Sequence, residues 1–83
     1  MNYTVYILKS ELNGRHYVGH TGDIDARLKA HNSGKVRSTK AYRTWKIIYK
    51  EEYPDKQSAY KREMEIKGYK GGESFKLLID LQA

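Results

Sequence analysis

A group of side chains suited to phosphate chemistry lies in the first half of the sequence. Tyr6 and Tyr17 belong to β-branched and aromatic runs, and Gly19 closely follows the second tyrosine. Arg27 and His31 come next at a spacing that places two side chains on one face of a helix. Arginine binds phosphate through paired hydrogen bonds, and phenol and imidazole groups hold or move protons. These residue types predict a site that handles an anion.

Hydrolysis of a phosphodiester is one reaction that this group could perform. It needs a base for the water, a cation for the phosphoryl charge and stabilisation of the leaving oxygen. Tyr6, Tyr17 and His31 are candidates for moving protons, and Arg27 is the candidate cation. A free phenol is a weak base with a pKa of about 10, so a cation is expected beside the reacting tyrosine. The component still missing is a carboxylate that could bind a metal ion.

Glu63 is the predicted metal-binding carboxylate. On the wheel of the predicted second helix, Ala59, Tyr60 and Ile66 form an apolar stripe that contains Glu63, whereas Glu65 lies on the opposite side. A carboxylate on a core-facing stripe is costly unless it is paired or binds a cation. One carboxylate with several waters is a normal arrangement for Mg²⁺. We therefore expect Glu63 to bind Mg²⁺ or Mn²⁺.

Each of these residues also has a structural interpretation. The two tyrosines could be ordinary strand aromatics, and His31 could donate a hydrogen bond at a helix end. Arg27 could pair with Glu63 in an ion pair that has no chemical role. His16 and His20 share a strand face, but no third zinc ligand occurs at a suitable spacing.

The elements that position the site are predicted from periodicity and from turn residues. Asn13-Gly14 is a hairpin signal between the first two strands, which we expect to pair antiparallel. Thr21 or Asp23 is expected to cap the first helix, and Asp55 the second. The predicted strands cover residues 3–9, 15–21 and 45–53, and the helices cover 23–32, 55–68 and 73–81. The last helix is expected to pack on the sheet through Phe75, Leu77, Leu78, Ile79 and Leu81.

Residues 35–44 show no regular period and are rich in basic side chains. We interpret them as a mobile loop that contacts phosphates, although an ordinary solvated loop would have a similar composition. The basic residues are Lys35, Arg37, Lys40 and Arg43.

Size and charge favour one small domain that binds nucleic acid. The 83 residues are expected to form a single domain over 1–83, with 16 Lys and Arg against 10 Asp and Glu and a net charge of +6. A solvated lysine surface would give the same charge. The sequence has no cysteine and no apolar run of membrane-spanning length, so we expect a cytoplasmic location, no membrane partner and no small-molecule cofactor.

The ordered set of motifs resembles the GIY-YIG nucleases. Residues 3–8, followed by Tyr17-Val18-Gly19, resemble the paired motif of that family. Arg27, ten residues after Tyr17, and His31-Asn32-Ser33-Gly34 continue the match. The small stand-alone members are also matched by Arg62-Glu63, Ile66-Lys67 and Lys76-Leu77-Leu78-Ile79.

The resemblance implies an α/β fold with a small three-stranded antiparallel sheet flanked by three helices. It also implies divalent-metal-dependent cleavage of a nucleic-acid phosphodiester. At the matching positions, Tyr17 would act as the general base or orient the water, with Tyr6 beside it. Arg27 would hold the scissile phosphate, and Glu63 would bind the single metal ion. His31 occupies a position where relatives place a residue that helps to activate the nucleophile.

The sequence departs from the family pattern at several positions. The first motif is Thr4-Val5-Tyr6 without a glycine, and Val18 replaces an isoleucine. His20 stands where several repair-type members have a lysine, so we expect it to contact nucleic acid. The leading hypothesis is a Mg²⁺-dependent endonuclease acting on DNA, with branched or damaged DNA as candidate substrates. The alternatives are a nucleic-acid-binding module without turnover and a small adaptor protein.

Overall fold

The central strand of the sheet is β1, which comprises Tyr3–Ser10. In the computed structural model, which describes residues 2–37 and 39–80, it pairs antiparallel with β2 (His16–Thr21) and β3 (Trp45–Tyr53). The strand order is β2-β1-β3, so β2 and β3 are edge strands. The helices are α1 (Ile24–Asn32), α2 (Lys56–Gly68) and α3 (Glu73–Asp80). The predicted α/β fold, with three antiparallel strands and three helices, is confirmed.

Helices cover both faces of β1, which explains its nearly continuous apolar sequence. Val5 and Ile7 pack in a core with residues of α2 and α3. Tyr6 and Leu8 point to the other face and pack with Trp45 of β3 and with side chains of α1. This alternation agrees with the two-residue period of a strand. The molecule therefore has three layers, with α1 on one side of the sheet and α2 and α3 on the other.

Aspartates begin the first two helices. The Asp23 carboxylate accepts a hydrogen bond from the Ala26 amide at 3.1 Å, and the Asp55 carboxylate accepts one from the Ser58 amide at 2.7 Å. Each helix starts one residue after its cap, which explains why the predicted helices began one residue too early. No helix among the described residues has the length and apolarity required to cross a membrane.

Two residues assigned to apolar stripes are exposed. Tyr60 lies about 100° from Ala59 on α2, at the margin of the buried stripe, and is 52% exposed. Leu77 lies about 200° from Phe75 on α3 and is 62% exposed. Leu81, expected to extend the same stripe, lies outside the described residues. Wheel position therefore predicts the centre of each stripe better than its margins.

The segment predicted to be an irregular loop contains a short 3-10 helix, Lys40–Tyr42, and a buried residue, Thr39. The Trp45 indole N–H donates to the Thr39 carbonyl at 2.9 Å. The side chain of Asn32, at the end of α1, accepts from the Trp45 amide at 2.6 Å and donates to its carbonyl at 3.1 Å. These contacts attach the segment to α1 and β3.

An ion pair on the far side of the sheet holds α2 against β3. The Arg62 guanidinium donates from Nε and Nη2 to the two oxygens of Glu51, each at 3.0 Å. The hydroxyls of Tyr49 and Tyr53 also donate to the Glu51 carboxylate. Although burial raises the pKa of Glu51, hydrogen bonds from Arg62 and the two tyrosines outweigh it and hold that pKa below its ordinary value. This cluster fixes the position of the helix that carries Glu63.

We predict that Glu51→Gln lowers the free energy of unfolding by about 1–2 kcal/mol, because it removes the charge that pairs with Arg62. Glu52→Gln is the matched control, since Glu52 is an exposed neighbour on the same strand. The control should change stability by less than about 0.5 kcal/mol. Urea denaturation of both variants measures the difference, and equal unfolding midpoints would contradict the anchoring role.

Candidate active site

Gly19 provides the space in which the two tyrosines meet. Tyr6 and Gly19 are direct partners across β1 and β2, and Tyr17 lies two residues before Gly19 on the same strand face. A Cβ atom at Gly19 would lie 2.7 Å from the Tyr6 hydroxyl oxygen and 2.9 Å from its Cζ. The Tyr6 side chain therefore covers the position that a side chain at residue 19 would occupy. The requirement for glycine here is steric, and the ring centres of the two tyrosines lie 6.3 Å apart.

A chain of hydrogen bonds fixes the Tyr6 hydroxyl. Its oxygen is 3.1 Å from Nε2 of His31, and Nδ1 of His31 is 2.8 Å from the Thr39 hydroxyl. The Thr39 hydroxyl donates to the Val36 carbonyl at 3.3 Å, so its oxygen is available to accept from Nδ1–H. Nε2 is then the acceptor for the Tyr6 O–H. This assignment gives every polar hydrogen in the chain one acceptor.

Burial keeps His31 neutral and Tyr6 protonated. His31 is fully buried, and burial together with the nearby Arg27 charge lowers its pKa to about 4. Burial also raises the pKa of Tyr6 above its ordinary value, although a hydrogen bond from Arg27 opposes that shift. At neutral pH His31 is therefore an uncharged acceptor that orients Tyr6. The His31 ring also contacts Tyr17, with ring centres 4.7 Å apart.

Arg27 lies beside both tyrosine hydroxyls. Hydrogen bonding to Tyr6 is the main cause of the raised pKa of Arg27, and a hydrogen bond to Tyr17 contributes in the same direction. Among the described residues, its side chain forms no salt bridge. The predicted alternative, an ion pair between Arg27 and Glu63, is not formed. Arg27 is thus a half-buried cation that can bind an anionic ligand.

Glu63 is buried on the opposite face of the sheet, as its wheel position predicts, with a relative exposure of 7%. Its Oε1 accepts from Nδ1 of His20 at 2.6 Å, and its Oε2 accepts from Nζ of Lys67 at 2.6 Å. Glu65 points outward and pairs with Arg62. His20, which the sequence predicts to contact nucleic acid, lies against the candidate metal ligand, and its ring meets the Tyr60 ring edge to face.

The Glu63 carboxylate fits a divalent cation that is bound mainly by water and substrate. No group of three histidine, aspartate or glutamate side chains that could hold a metal ion occurs in the part of the chain that the structure describes. A single hard oxygen ligand suits Mg²⁺ or Mn²⁺, which keep several waters. Lys67 already places a positive charge at Oε2, and its side chain is 47% exposed, so it can move aside.

The candidate site has residues on both faces of the sheet, and these two groups come together at the free edge of β2. Gly19 and Tyr17 face α1, whereas His20 faces α2 and contacts Glu63. A phosphate at the edge could therefore contact groups from both faces of the sheet.

Three of the four basic residues predicted to bind nucleic acid surround one cleft. Arg37, Lys40 and Arg43 line a cavity of about 500 Å³, and Lys35 is not among its lining residues. The cleft is connected to the tyrosine cluster because Thr39, which hydrogen-bonds His31, directly precedes Lys40. The His31 contact thus positions both the tyrosines and this basic cleft.

Sequence reasoning missed Thr39 and Lys67. Nothing in the local pattern distinguishes Thr39 from the other hydroxyl residues of its segment, because its role depends on a partner in α1. Lys67 could have been found, since it lies four residues after Glu63 on α2, a spacing at which side chains of opposite charge meet.

Comparisons with known proteins agree with this arrangement. The family model described as the GIY-YIG catalytic domain matches residues 2–75. A UPF0213 protein of Staphylococcus epidermidis is 40% identical over 75 residues, which cover 89% of this chain and 90% of the relative. A UPF0213 protein of Staphylococcus aureus is 37% identical over 78 residues, covering 93% of this chain and 94% of the relative.

A solved structure shows the same similarity. The solution NMR structure of a UPF0213 protein from Bacillus halodurans matches with a TM-score of 0.63 and 32% identity, covering 99% of this chain and 86% of the other. The chain therefore belongs to the GIY-YIG catalytic domain family, a family of nucleases. Within it, the chain resembles the small single-domain UPF0213 proteins.

We predict that Gly19→Ala lowers the free energy of unfolding by about 1–3 kcal/mol, because the new methyl group would overlap the buried Tyr6 side chain. Gly68→Ala is the control, since a Cβ there meets no atom within 4 Å. That control should be neutral or slightly stabilising, because alanine favours helix. Denaturant midpoints measure both effects, and a harmless Gly19→Ala would refute the steric requirement.

Proposed function

We propose that this protein is a metal-dependent endonuclease that hydrolyses phosphodiester bonds in DNA, with one Mg²⁺ or Mn²⁺ held by Glu63. The observation that carries the proposal is the position of Arg27. It is a half-buried cation that faces two tyrosine hydroxyls and forms no salt bridge among the described residues. A planar guanidinium in this setting suits a phosphate group. Membership of the GIY-YIG family supports a nucleic-acid substrate.

The geometry suggests separate roles for the two tyrosines. The Tyr6 proton is donated to His31, and the Arg27 charge lies beside the Tyr6 hydroxyl, so Tyr6 helps to position the guanidinium. Tyr17 is only half-buried, which leaves its hydroxyl accessible to water beside the same cation. We assign to Tyr17 the task of orienting the attacking water and, in its ionised form, accepting the proton of that water. The neutral His31 positions Tyr6.

Arg27 and a cation bound at Glu63 would each stabilise part of the negative charge on the phosphoryl group. Arg27 would bind the non-bridging oxygens and stabilise the negative charge that develops during attack. A divalent cation bound at Glu63 would supply Lewis-acid stabilisation of the phosphoryl group and the leaving oxygen. His20 fixes the Glu63 carboxylate through its 2.6 Å hydrogen bond. Arg37, Lys40 and Arg43 would bind more distant phosphates and orient the strand.

One observation favours a second candidate function. Both oxygens of Glu63 already have partners in His20 and Lys67, so a cation must compete with the Lys67 ammonium. If that competition fails, the basic cleft and Arg27 would still bind nucleic acid, and the protein would be a binding module without turnover. Selectivity for branched or damaged DNA, and a cytoplasmic location, stay predictions from the sequence.

The carboxylates of α2 provide a matched test. Glu63→Gln should lower the single-turnover rate of Mg²⁺-dependent DNA nicking by roughly 10²-fold or more, because it removes the metal ligand. Glu65→Gln, on the exposed side of the same helix, should cut like the wild type. Binding of both variants to DNA, measured without metal, should stay close to that of the wild type.

Binding and nicking assays of the wild-type protein distinguish a nuclease from a binding module and from an adaptor. Salt-dependent DNA binding without nicking in Mg²⁺ or Mn²⁺ would favour the binding module. Neither binding nor nicking would contradict both functions and favour an adaptor. Normal nicking by Glu63→Gln would show that the metal is bound elsewhere.

A further inference from the structure

A cavity of about 330 Å³ adjoins the candidate active site, between the edge of β2 and the turn that joins α2 to α3. Val18, Ile66 and Phe75 provide apolar walls, and Lys67 and Lys70 provide positive charge. The remaining lining residues are His16, Tyr17 and Gly71. An apolar interior combined with lysines suits a ligand that has a flat apolar part and a negative charge.

The cavity shares two residues with the reaction site. Tyr17 lines the cavity and also contacts Arg27 and His31. Lys67 lines the cavity and also pairs with Glu63. A group bound in the cavity would therefore touch Tyr17 and Lys67, which also belong to the candidate site. In a nucleic-acid strand, the group next to the cleaved phosphate is the base of an adjoining nucleotide.

His16 gives the cavity an aromatic wall. Its ring meets Phe75 edge to face, with ring centres 5.1 Å apart. Burial and the neighbouring charge of Lys9 lower the pKa of His16, which favours the neutral ring at physiological pH. Aromatic side chains accept nucleobases by stacking with little dependence on sequence.

The backbone at Lys70 is unusual. Lys70 has φ of 52° and Gly71 has φ of 73°, so both residues of this turn adopt the left-handed conformation. Glycine adopts this conformation without steric cost, whereas lysine does so rarely. The turn thus retains a lysine at a position where glycine would be less strained, and the lysine lines the cavity.

We propose that this cavity binds the base of an unpaired nucleotide next to the cleaved phosphodiester, with Lys67 and Lys70 contacting the adjoining phosphates. A paired base is held in the stack of the duplex, whereas a bulged or single-stranded base can enter a pocket at low cost. The substrate class is therefore nucleic acid with an unpaired nucleotide beside the cut. This inference rests on the proposed nuclease function and specifies its substrate.

The test uses three labelled DNA duplexes in EDTA, with binding measured by fluorescence anisotropy. They are identical except at the centre, where one is fully paired, one contains an extra unpaired adenosine and one contains an abasic residue in place of that adenosine. The wild type should bind the unpaired adenosine about tenfold more tightly than the abasic residue, because only the former can stack. His16→Ala should abolish this difference.

Lys70→Gly tests the phosphate contact without weakening the fold. We expect severalfold weaker binding of the duplex with the extra adenosine and a salt slope reduced by about one unit. The melting temperature should be unchanged or higher, because glycine relieves the positive φ. Lys61→Ala, which removes one charge from an exposed position on α2, should bind like the wild type.

Several results would overturn the proposal. The first is equal wild-type affinity for the adenosine and abasic duplexes. The second is a preference for the adenosine duplex that persists in His16→Ala. The third is unchanged DNA binding by Lys70→Gly. Mg²⁺-dependent nicking by the same wild-type sample would then leave the nuclease function standing. Absence of binding to all three duplexes, together with absence of nicking in Mg²⁺ or Mn²⁺, would overturn the nuclease proposal as well.

Discussion

The hydrogen bond between Tyr6 and His31, made above Gly19, is the contact on which the rest of the site depends. It joins the central strand to α1, and the second nitrogen of His31 continues the connection to Thr39. Arg27 lies one helical turn before His31, so the same contact sets the position of the candidate phosphate-binding cation. The geometry of the candidate site therefore depends on how α1 packs against β1.

The candidate site lies on an edge strand. A central strand would separate the groups on its two faces, whereas Tyr17 and His20 lie on opposite faces of the edge strand β2. Tyr17 approaches this edge from the α1 face, and Glu63 approaches from the α2 face through His20. The ion pair of Arg62 with Glu51 holds α2, which carries Glu63, against β3. The site thus depends on packing on both sides of the sheet.

The sequence predicted the parts of the site that follow from local periodicity. Strand alternation placed Tyr6 on the face opposite Val5, and helical spacing placed Glu63 in the buried stripe of α2. Contacts between distant segments were not predictable in this way. The Thr39 contact with His31 and the pairing of His20 with Glu63 depend on how a loop, a strand and two helices pack together. Chain spacing alone does not determine that packing.

The most direct test of the Tyr6–His31 hydrogen bond is ¹⁵N NMR of the histidine side chains across a pH titration. We predict that His31 is the neutral tautomer with its proton on Nδ1, and that it stays neutral well below the ordinary histidine pKa of 6.5, titrating at about 4. Tyr6→Phe should change the Nε2 shift of His31, because the hydroxyl donor is lost. A His31 that carries its proton on Nε2, or that titrates near 6.5, would contradict the central contact.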